Sequence, residues 1–308
     1  MPDLYVGPII DSHHHVWDLG LGRHPWLMPE VRVPHRYGDY ERIKHDYLPA
    51  DYLNDIAGTG VVASVYMEAE WQPGDAMGEV QIVERYREQS GVPGAMVAQA
   101  WLDAPDAAER LTELAAVPSV KSVRHKPGGA ASPAERRQGV RTLLDDDRWR
   151  AGYALLAERG LHFDLQTPWW NLVDARRLAD DFPDTTLVVD HAGVLAARDA
   201  DTVAAWRAAL EDIAAAPNVV VKASGLCVEG EPWTVESNRG PIGDLVRIFG
   251  AERVMFGSNF PVDGMFIDFR GLVDGYRQIL SAFDPHEQRA VFHDTAQRVY
   301  APLPLPTL

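Results

Sequence analysis

Thr186-Leu187-Val188-Val189-Asp190-His191-Ala192-Gly193 is a short apolar run that ends in two polar residues and a glycine turn. An apolar run of about 5–8 residues bounded by turn signals reads as a buried strand rather than a helix. Seven further runs of this kind lie along the chain: Ile9–His13, Val61–Glu68, Gly94–Trp101, Val120–His125, Leu161–Gln166, Asn218–Ala223 and Arg253–Phe256. Between them come stretches with apolar residues at three-to-four spacing, as over Ala76–Ser90, Asp106–Val117, Thr202–Ala216 and Ser237–Gly250. Strands that alternate with helices pair in parallel, because a hairpin cannot join parallel neighbours. An open doubly wound sheet and a closed (β/α)8 TIM barrel both satisfy the alternation. Eight units over this length, with no Gly-x-Gly-x-x-Gly turn after any strand, favour the barrel. No repeat and no Ser/Gly-rich linker divides the chain, so one α/β domain over residues 1–308 is expected. It carries a Pro-, Arg- and Tyr-rich excursion over 20–48 after the first strand, and a tail over 301–308 that reads as frayed from Leu303.

Composition sets the outer limits. Of 308 residues, 46% are hydrophobic and 24% charged, which excludes disorder, collagen and coiled coil. No apolar run reaches the ~20 residues of a membrane helix, and the first residues lack the basic and apolar regions of a secretory signal. A single cysteine, Cys227, excludes a disulfide framework and fits a reducing, cytoplasmic setting. The 45 acidic against 29 basic residues give a formal charge of −16, which speaks against nucleic acid or an anionic membrane as partner. Local arginines can still recognise an anionic small molecule, since distant charge is screened within about 10 Å. The surplus acid falls on helical stretches such as Asp145-Asp146-Asp147 and Asp180-Asp181, so the strand ends are expected to be less acidic than the coat.

In a barrel, the C-terminal strand ends form the active-site face. The first strand runs into Asp11-Ser12-His13-His14-His15-Val16-Trp17, and period-two alternation puts His13 and His15 on one side and His14 on the other. Two such imidazoles can share a metal ion or polarise one substrate oxygen, or they can form a polar loop or a satisfied core cluster. Later strands end in Glu68 with Glu70, Arg124-His125-Lys126, Gln166, Asp190-His191, Lys222 with Ser224, and Ser258-Asn259. So many polar groups are costly inside a barrel unless paired or used. Lys222 also reads as half of a buried ion pair, and Asp190 as a turn cap. Arg23 and Arg36 read as surface residues that could alternatively bind a carboxylate.

His13-x-His15, the Asp190-His191-Ala192-Gly193 turn and Met255-Phe256-Gly257-Ser258-Asn259-Phe260-Pro261 resemble the amidohydrolase superfamily. Asp11-x-His13-x-His15-x-Trp17 with Pro25-Trp26-Leu27, and Val123-Arg124-His125, are similar to its family 2 branch, which includes sugar lactonases and 2-pyrone-4,6-dicarboxylate lactonase. The resemblance runs from about Ile9 to Tyr300. It implies a (β/α)8 barrel and hydrolysis of a cyclic ester, with decarboxylation in sister branches. Asn259 departs from the pattern, because the family usually ends its eighth strand in an aspartate. A carboxamide is no general base and a weak metal ligand. Water activation would then pass to His191, His125 or Asp263, and Asn259→Asp would preserve or raise hydrolysis.

Seven of the nine tryptophans, Trp17, Trp26, Trp71, Trp101, Trp169, Trp170 and Trp233, lie after strands. They suit a flat or sugar-like ring substrate or plug the gap between loops and barrel. The reading that results is a cytoplasmic lactone hydrolase acting on a small ring compound, of which Arg124 would anchor a carboxylate or hydroxyl. His13, His15, His191, Asn259 and His125 are its catalytic residues. Arg124, Trp17, Glu68, Gln166, Lys222 and Asp263 bind substrate. His13, His15 and His191 are the ligands of a Zn2+ or Mn2+ ion, if the reaction uses one. A metal-dependent aromatic-acid decarboxylase and a non-catalytic small-molecule binding protein are the alternatives. Oligomeric state is not legible.

Overall fold

A computed structural model describes residues 4–306. Its eight strands are β1 (Ile9–His14), β2 (Val61–Met67), β3 (Ala95–Gln99), β4 (Val120–Arg124), β5 (His162–Leu165), β6 (Leu187–Val189), β7 (Val219–Ala223) and β8 (Val254–Phe256). All neighbouring pairs are parallel and the strand order is sequential. The main helices between and after them are α1 (Pro49–Ile56), α2 (Ala76–Ser90), α3 (Ala107–Ala115), α4 (Asp147–Glu158), α5 (Leu172–Asp181), α6 (Ala200–Ala214), α7 (Val235–Phe249) and α8 (Phe269–Leu280). This is the expected (β/α)8 barrel, with every strand within a residue or two of its expected place. Helix α6 starts two residues early because Asp199 caps it, accepting from the Thr202 amide at 2.9 Å. Among the described residues no helix is long and apolar enough to cross a membrane.

The barrel closes beyond the last residue of β8. The Asn259 amide donates to the His13 carbonyl at 2.7 Å and the His15 amide to the Phe260 carbonyl at 2.8 Å. The closing bonds therefore hold β1 and the turn after β8 against each other at the mouth, where the histidines are. Below, the Asp11 carboxylate accepts from the Ser258 amide at 2.8 Å and its hydroxyl at 2.6 Å, and from the Tyr52 hydroxyl of α1 at 3.0 Å. Burial pushes Asp11 up to about 6 against those donors.

The excursion after β1 is a packed cover with three single 3-10 turns. Tyr37, Tyr40, Ile43 and Tyr47 are buried in it, and Trp17 and Tyr47 exchange backbone hydrogen bonds at 2.8 and 2.9 Å. At the opposite end the tail is not frayed over its described part. Leu303 donates to the Gly94 carbonyl at 3.1 Å and Leu305 to the Val62 carbonyl at 2.7 Å. Gly94 is required there, since a Cβ would stand 2.1 Å from the Leu303 carbonyl oxygen. Residues 307 and 308 lie outside the described residues.

The interior is apolar at the bottom, where Ile10, Val65, Val97, Val188, Val220 and Met255 pack with Val299 and Tyr300 from the C-terminal helix. Higher up it becomes charged, and that transition makes the site.

Candidate active site

A bulge in β1 aims the histidines. Asp11 pairs with Ser64 but His14 with Tyr66, so three steps on β1 match two on β2. His14 then points outward, stacked on Tyr52 at 4.0 Å with Nε2 3.1 Å from the Ser64 hydroxyl. His13 and His15 face inward, with ring centroids 5.2 Å apart, and His13 lies 4.4 Å from His191. His191 comes from the end of β6 on a left-handed turn in which His191, Ala192, Gly193 and Val194 all have φ between 53° and 68°. Left-handed backbone costs roughly 1–2 kcal/mol per non-glycine residue. It is held by the Gly193 amide on the Asp190 carbonyl at 3.1 Å and by the Trp206 indole on the Ala192 carbonyl at 2.7 Å.

Beneath these rings runs a column of buried charge. Tyr300 donates to Asp164 at 2.7 Å, and the Lys222 ammonium bonds the same oxygen at 2.6 Å. Lys222 also stands 3.3 Å from Asp190, whose carboxylate lies 3.5 Å from His13 Nδ1 and 3.7 Å from Arg124. Arg124 in turn binds the Glu68 carboxylate through Nε at 2.5 Å and the Glu68 carbonyl at 2.6 Å, and donates to Gln166 at 3.0 Å. Burial pulls the Arg124 guanidinium down, but Glu68 and Asp190 outweigh it and hold it above its ordinary value. Burial raises Asp164 while Lys222 opposes the rise. Every one of these charges has an opposite neighbour, which is how a barrel interior tolerates them.

Above the column opens a cavity of about 400 Å³ lined by His15, His191, Arg124, Lys126, Gln166 and Asn259, and roofed by Trp26, His35 and Arg36 of the excursion. His15 Nδ1 lies 2.9 Å from the Met67 carbonyl. A carbonyl only accepts, so the ring proton sits on Nδ1 and Nε2 is an acceptor. Burial first, then Arg124, lowers His15 to about 3, so the ring stays neutral throughout the neutral range. His191 Nδ1 bonds the Ser224 hydroxyl at 2.9 Å, and burial with Arg36 and His13 around it also keeps that ring neutral.

The sequence-expected residues divide by depth. His15, His191, Asn259, Arg124 and Gln166 meet at the cavity wall. His13 is fully buried between the other two histidines, with neither ring nitrogen hydrogen-bonded. Lys222 lies deeper, in the ion pairs already described. Asp263 sits behind Asn259, accepting from its Nδ2 at 2.7 Å and from the Tyr37 hydroxyl at 3.0 Å. Trp17 stands behind His15, its ring 6.0 Å away and its indole on the His45 carbonyl. His125 and Glu68 line an adjoining chamber. Arg36 is the residue whose place sequence reasoning left open. Read as a surface residue that could alternatively bind a carboxylate, it enters the cavity roof, makes no hydrogen bond or ion pair among the described residues, stands over the Tyr37 ring at 4.4 Å and opposes the burial-driven rise of Asp263. No local pattern marks it; the fold of the excursion brings it there. Arg23 does stay outside, on Gln72.

Among the described residues, no three His, Cys, Asp or Glu side chains converge so as to hold a metal ion. The chemistry agrees: a carboxamide occupies position 259 and is turned to Asp263, while His13 Nδ1 is directed at Asp190. The expected His13, His15 and His191 set gathers without forming a metal centre.

The amidohydrolase family model matches residues 10–301. The uncharacterized protein y4mH of Sinorhizobium fredii is 32% identical over 95% of this chain and 98% of its own length. An L-fucono-1,5-lactonase of Burkholderia multivorans is 28% identical over 96% of this chain and 97% of its own. The crystal structure of an amidohydrolase from Burkholderia multivorans with bound zinc is 26% identical and matches with a TM-score of 0.79, covering 97% of this chain and 100% of the other.

Proposed function

Because this chain belongs to the amidohydrolase family, we propose that it hydrolyses a small lactone whose ring carries a hydroxyl or carboxylate substituent. The observation that carries the reading is an unpaired guanidinium, Arg36, in the roof of a cavity whose wall holds a neutral imidazole with a free acceptor nitrogen, His15 Nε2. The lactonase relatives support the reaction class.

Arg36 binds the carbonyl oxygen or a carboxylate beside it, while Lys126 and Arg124, each already paired with a glutamate, line the same cavity. The attacking water is taken to bridge His15 Nε2 and the Asn259 side-chain oxygen, the atom left available because Asn259 Nδ2 donates to Asp263. The water oxygen bonds to the carbonyl carbon while His15 takes its proton, and the charge that develops on the carbonyl oxygen is met by Arg36. The ring C–O bond then breaks, and the imidazolium returns the proton to the leaving alkoxide, giving a hydroxy acid. His15 is an acceptor here and not an electrophile, because its only ring proton is on Nδ1. His191 positions the substrate, and Asp190 with His13 supports it from below. No step is routed through a metal ion, as the donor set does not form a site for one.

The test is a panel of five- and six-membered sugar lactones and carboxylated pyrone lactones, followed by acid release with and without a chelator. Turnover that survives chelation is expected. Binding of these compounds by thermal shift with no acid released, or carbon dioxide release from an aromatic acid, would overturn the reading.

A further inference from the structure

Beside the catalytic cavity lies a second chamber of about 350 Å³. The two share Trp26, Val33, Glu70, Arg124 and Lys126 as common wall, and the Glu70–Lys126 ion pair stands at the divide. The second chamber differs in chemistry from the first. Its walls are the indoles of Trp26, Trp71 and Trp101, flanked by Pro25 and Pro73.

All three indole N–H groups are already used by the protein. Trp26 donates to the Ala69 carbonyl at 2.9 Å, Trp71 to Asp75 at 3.0 Å and Trp101 to Gln99 at 3.3 Å. The rings therefore offer carbon faces and edges to an occupant. Trp101 is 44% exposed although it stands edge-on to His125 with centroids 4.8 Å apart. An indole left this open regains apolar contact when a ring lies against it.

Among the tryptophans stands His125, while the charged lining residues Glu68, Glu70, Arg124 and Lys126 are paired with one another. His125 Nδ1 faces two groups that can only donate, the Leu102 amide at 3.2 Å and the Trp149 indole at 2.9 Å. Nδ1 is thus the acceptor, and the neutral ring carries its proton on Nε2. With Nδ1 so occupied, His125 cannot act there as a base, and it offers a single N–H donor in an aromatic slot.

We propose that this chamber is a subsite for a planar aromatic substituent bearing a hydrogen-bond acceptor, so that the substrate is a lactone carrying an aryl group, its ester in the first chamber and its aryl ring among the tryptophans. The substrate class rests on the hydrolase reading above, whereas the subsite itself does not. Its occupant is argued from adjacency: five residues line both chambers, so a ring in the second lies beside a lactone in the first.

The experiment has a binding arm and a turnover arm. In the first, 4-methoxyphenol is titrated against the whole protein by calorimetry, with toluene as the ring lacking an acceptor. Wild type is expected to bind 4-methoxyphenol saturably and more tightly than toluene, and Trp101→Ala to weaken it about tenfold or more, with Trp101→Phe between them. In the second, kcat/KM is compared for γ-(4-methoxyphenyl)-γ-butyrolactone and unsubstituted γ-butyrolactone. The ratio is expected to exceed one in wild type and to fall about tenfold in Trp101→Ala, with the substituted lactone losing mainly in KM. Binding that depends on Trp101 without hydrolysis of any lactone keeps the subsite and removes the hydrolase reading. Hydrolysis with a ratio indifferent to Trp101, or 4-methoxyphenol binding equally to wild type and Trp101→Ala, overturns the subsite. Trp101-dependent binding of 4-methoxyphenol with no preference for the substituted lactone overturns the substrate class. Because Trp101 is a partly exposed loop residue, a circular-dichroism melt of each variant verifies the fold.

Discussion

Gly225 follows β7 with φ +58°, and a Cβ built on it would stand 2.4 Å from Arg36 Nη2 and 2.5 Å from His191 Nδ1. Ordinary contacts begin near 3.4 Å, so Gly225→Ala requires both neighbours to retreat. Arg36 is the end of a flexible side chain and can swing away. His191 cannot do so cheaply, because its turn is held by Trp206 and its Nδ1 by Ser224. Two costs add: ~1–2 kcal/mol for an alanine in left-handed backbone, and ~1 kcal/mol for the strained or lost Nδ1–hydroxyl bond. Gly160 separates them, since it has φ +64° with nothing within 4 Å of its Cβ and lies at the bottom of the barrel before β5. Urea unfolding should then give a loss of ~1–2 kcal/mol for Gly160→Ala and of ~2–3 kcal/mol for Gly225→Ala. Lactone turnover should be kept in the first and fall about 100-fold in the second, as displacements near 1 Å at a reacting group do. Equal stability losses together with full activity in both variants would refute the view that Gly225 exists to bring Arg36 and His191 together.

Three further outcomes follow from the buried charges. Lys222→Met leaves Asp164 and Asp190 without their shared cation and should cost ~3–5 kcal/mol in urea unfolding at pH 7, with a smaller loss at pH 4; a variant as stable as wild type at pH 7 would contradict the pairing. Burial and Glu68 push Glu79 up to about 8, against ~4.3 unfolded. The native state binds the extra proton in that window, so the contribution of Glu79 is full below the unfolded value and is lost as pH rises towards 8. Glu79→Gln keeps the acceptor for Tyr66 and the Ala69 amide, so its stability should gain on wild type by up to about 1.4 kcal/mol per pH unit from pH 5 to 8; parallel stability curves would exclude this. Asn259→Asp, which the sequence alone suggests would preserve or raise hydrolysis, faces a carboxylate with Asp263 at the 2.7 Å amide contact. Activity should fall tenfold or more at pH 7 and return in the double variant Asn259→Asp/Asp263→Asn, measured as initial rates; a single variant as active as wild type would show that this contact does not matter.

The fold was legible because each strand of a parallel barrel is buried on both faces and must be written as an apolar run, and the eight runs appear in order. The polar strand ends were legible for the same reason, as His15, Arg124, Gln166, His191 and Asn259 interrupt sequences that are otherwise apolar. Their depth was not. His13, Lys222 and Asp263 occupy positions that read like those of the wall residues, yet burial between the other two imidazoles, a salt bridge to Asp164 and an amide contact with Asn259 keep them off the cavity wall. Arg36 is the reverse case: it stands in a polar, proline-rich stretch that reads as surface, and only the packing of Tyr37, Tyr40 and Tyr47 against the barrel carries it into the roof. Proton placement was likewise a tertiary decision. Met67 sets the acceptor nitrogen of His15, and Leu102 with Trp149 sets the donor nitrogen of His125, through groups 52, 23 and 24 residues away along the chain. Local sequence determines which chemical groups arrive at the mouth of this barrel, because strand periodicity is local. What each group can donate, accept or touch depends on neighbours that only the closed barrel brings within 3 Å or so.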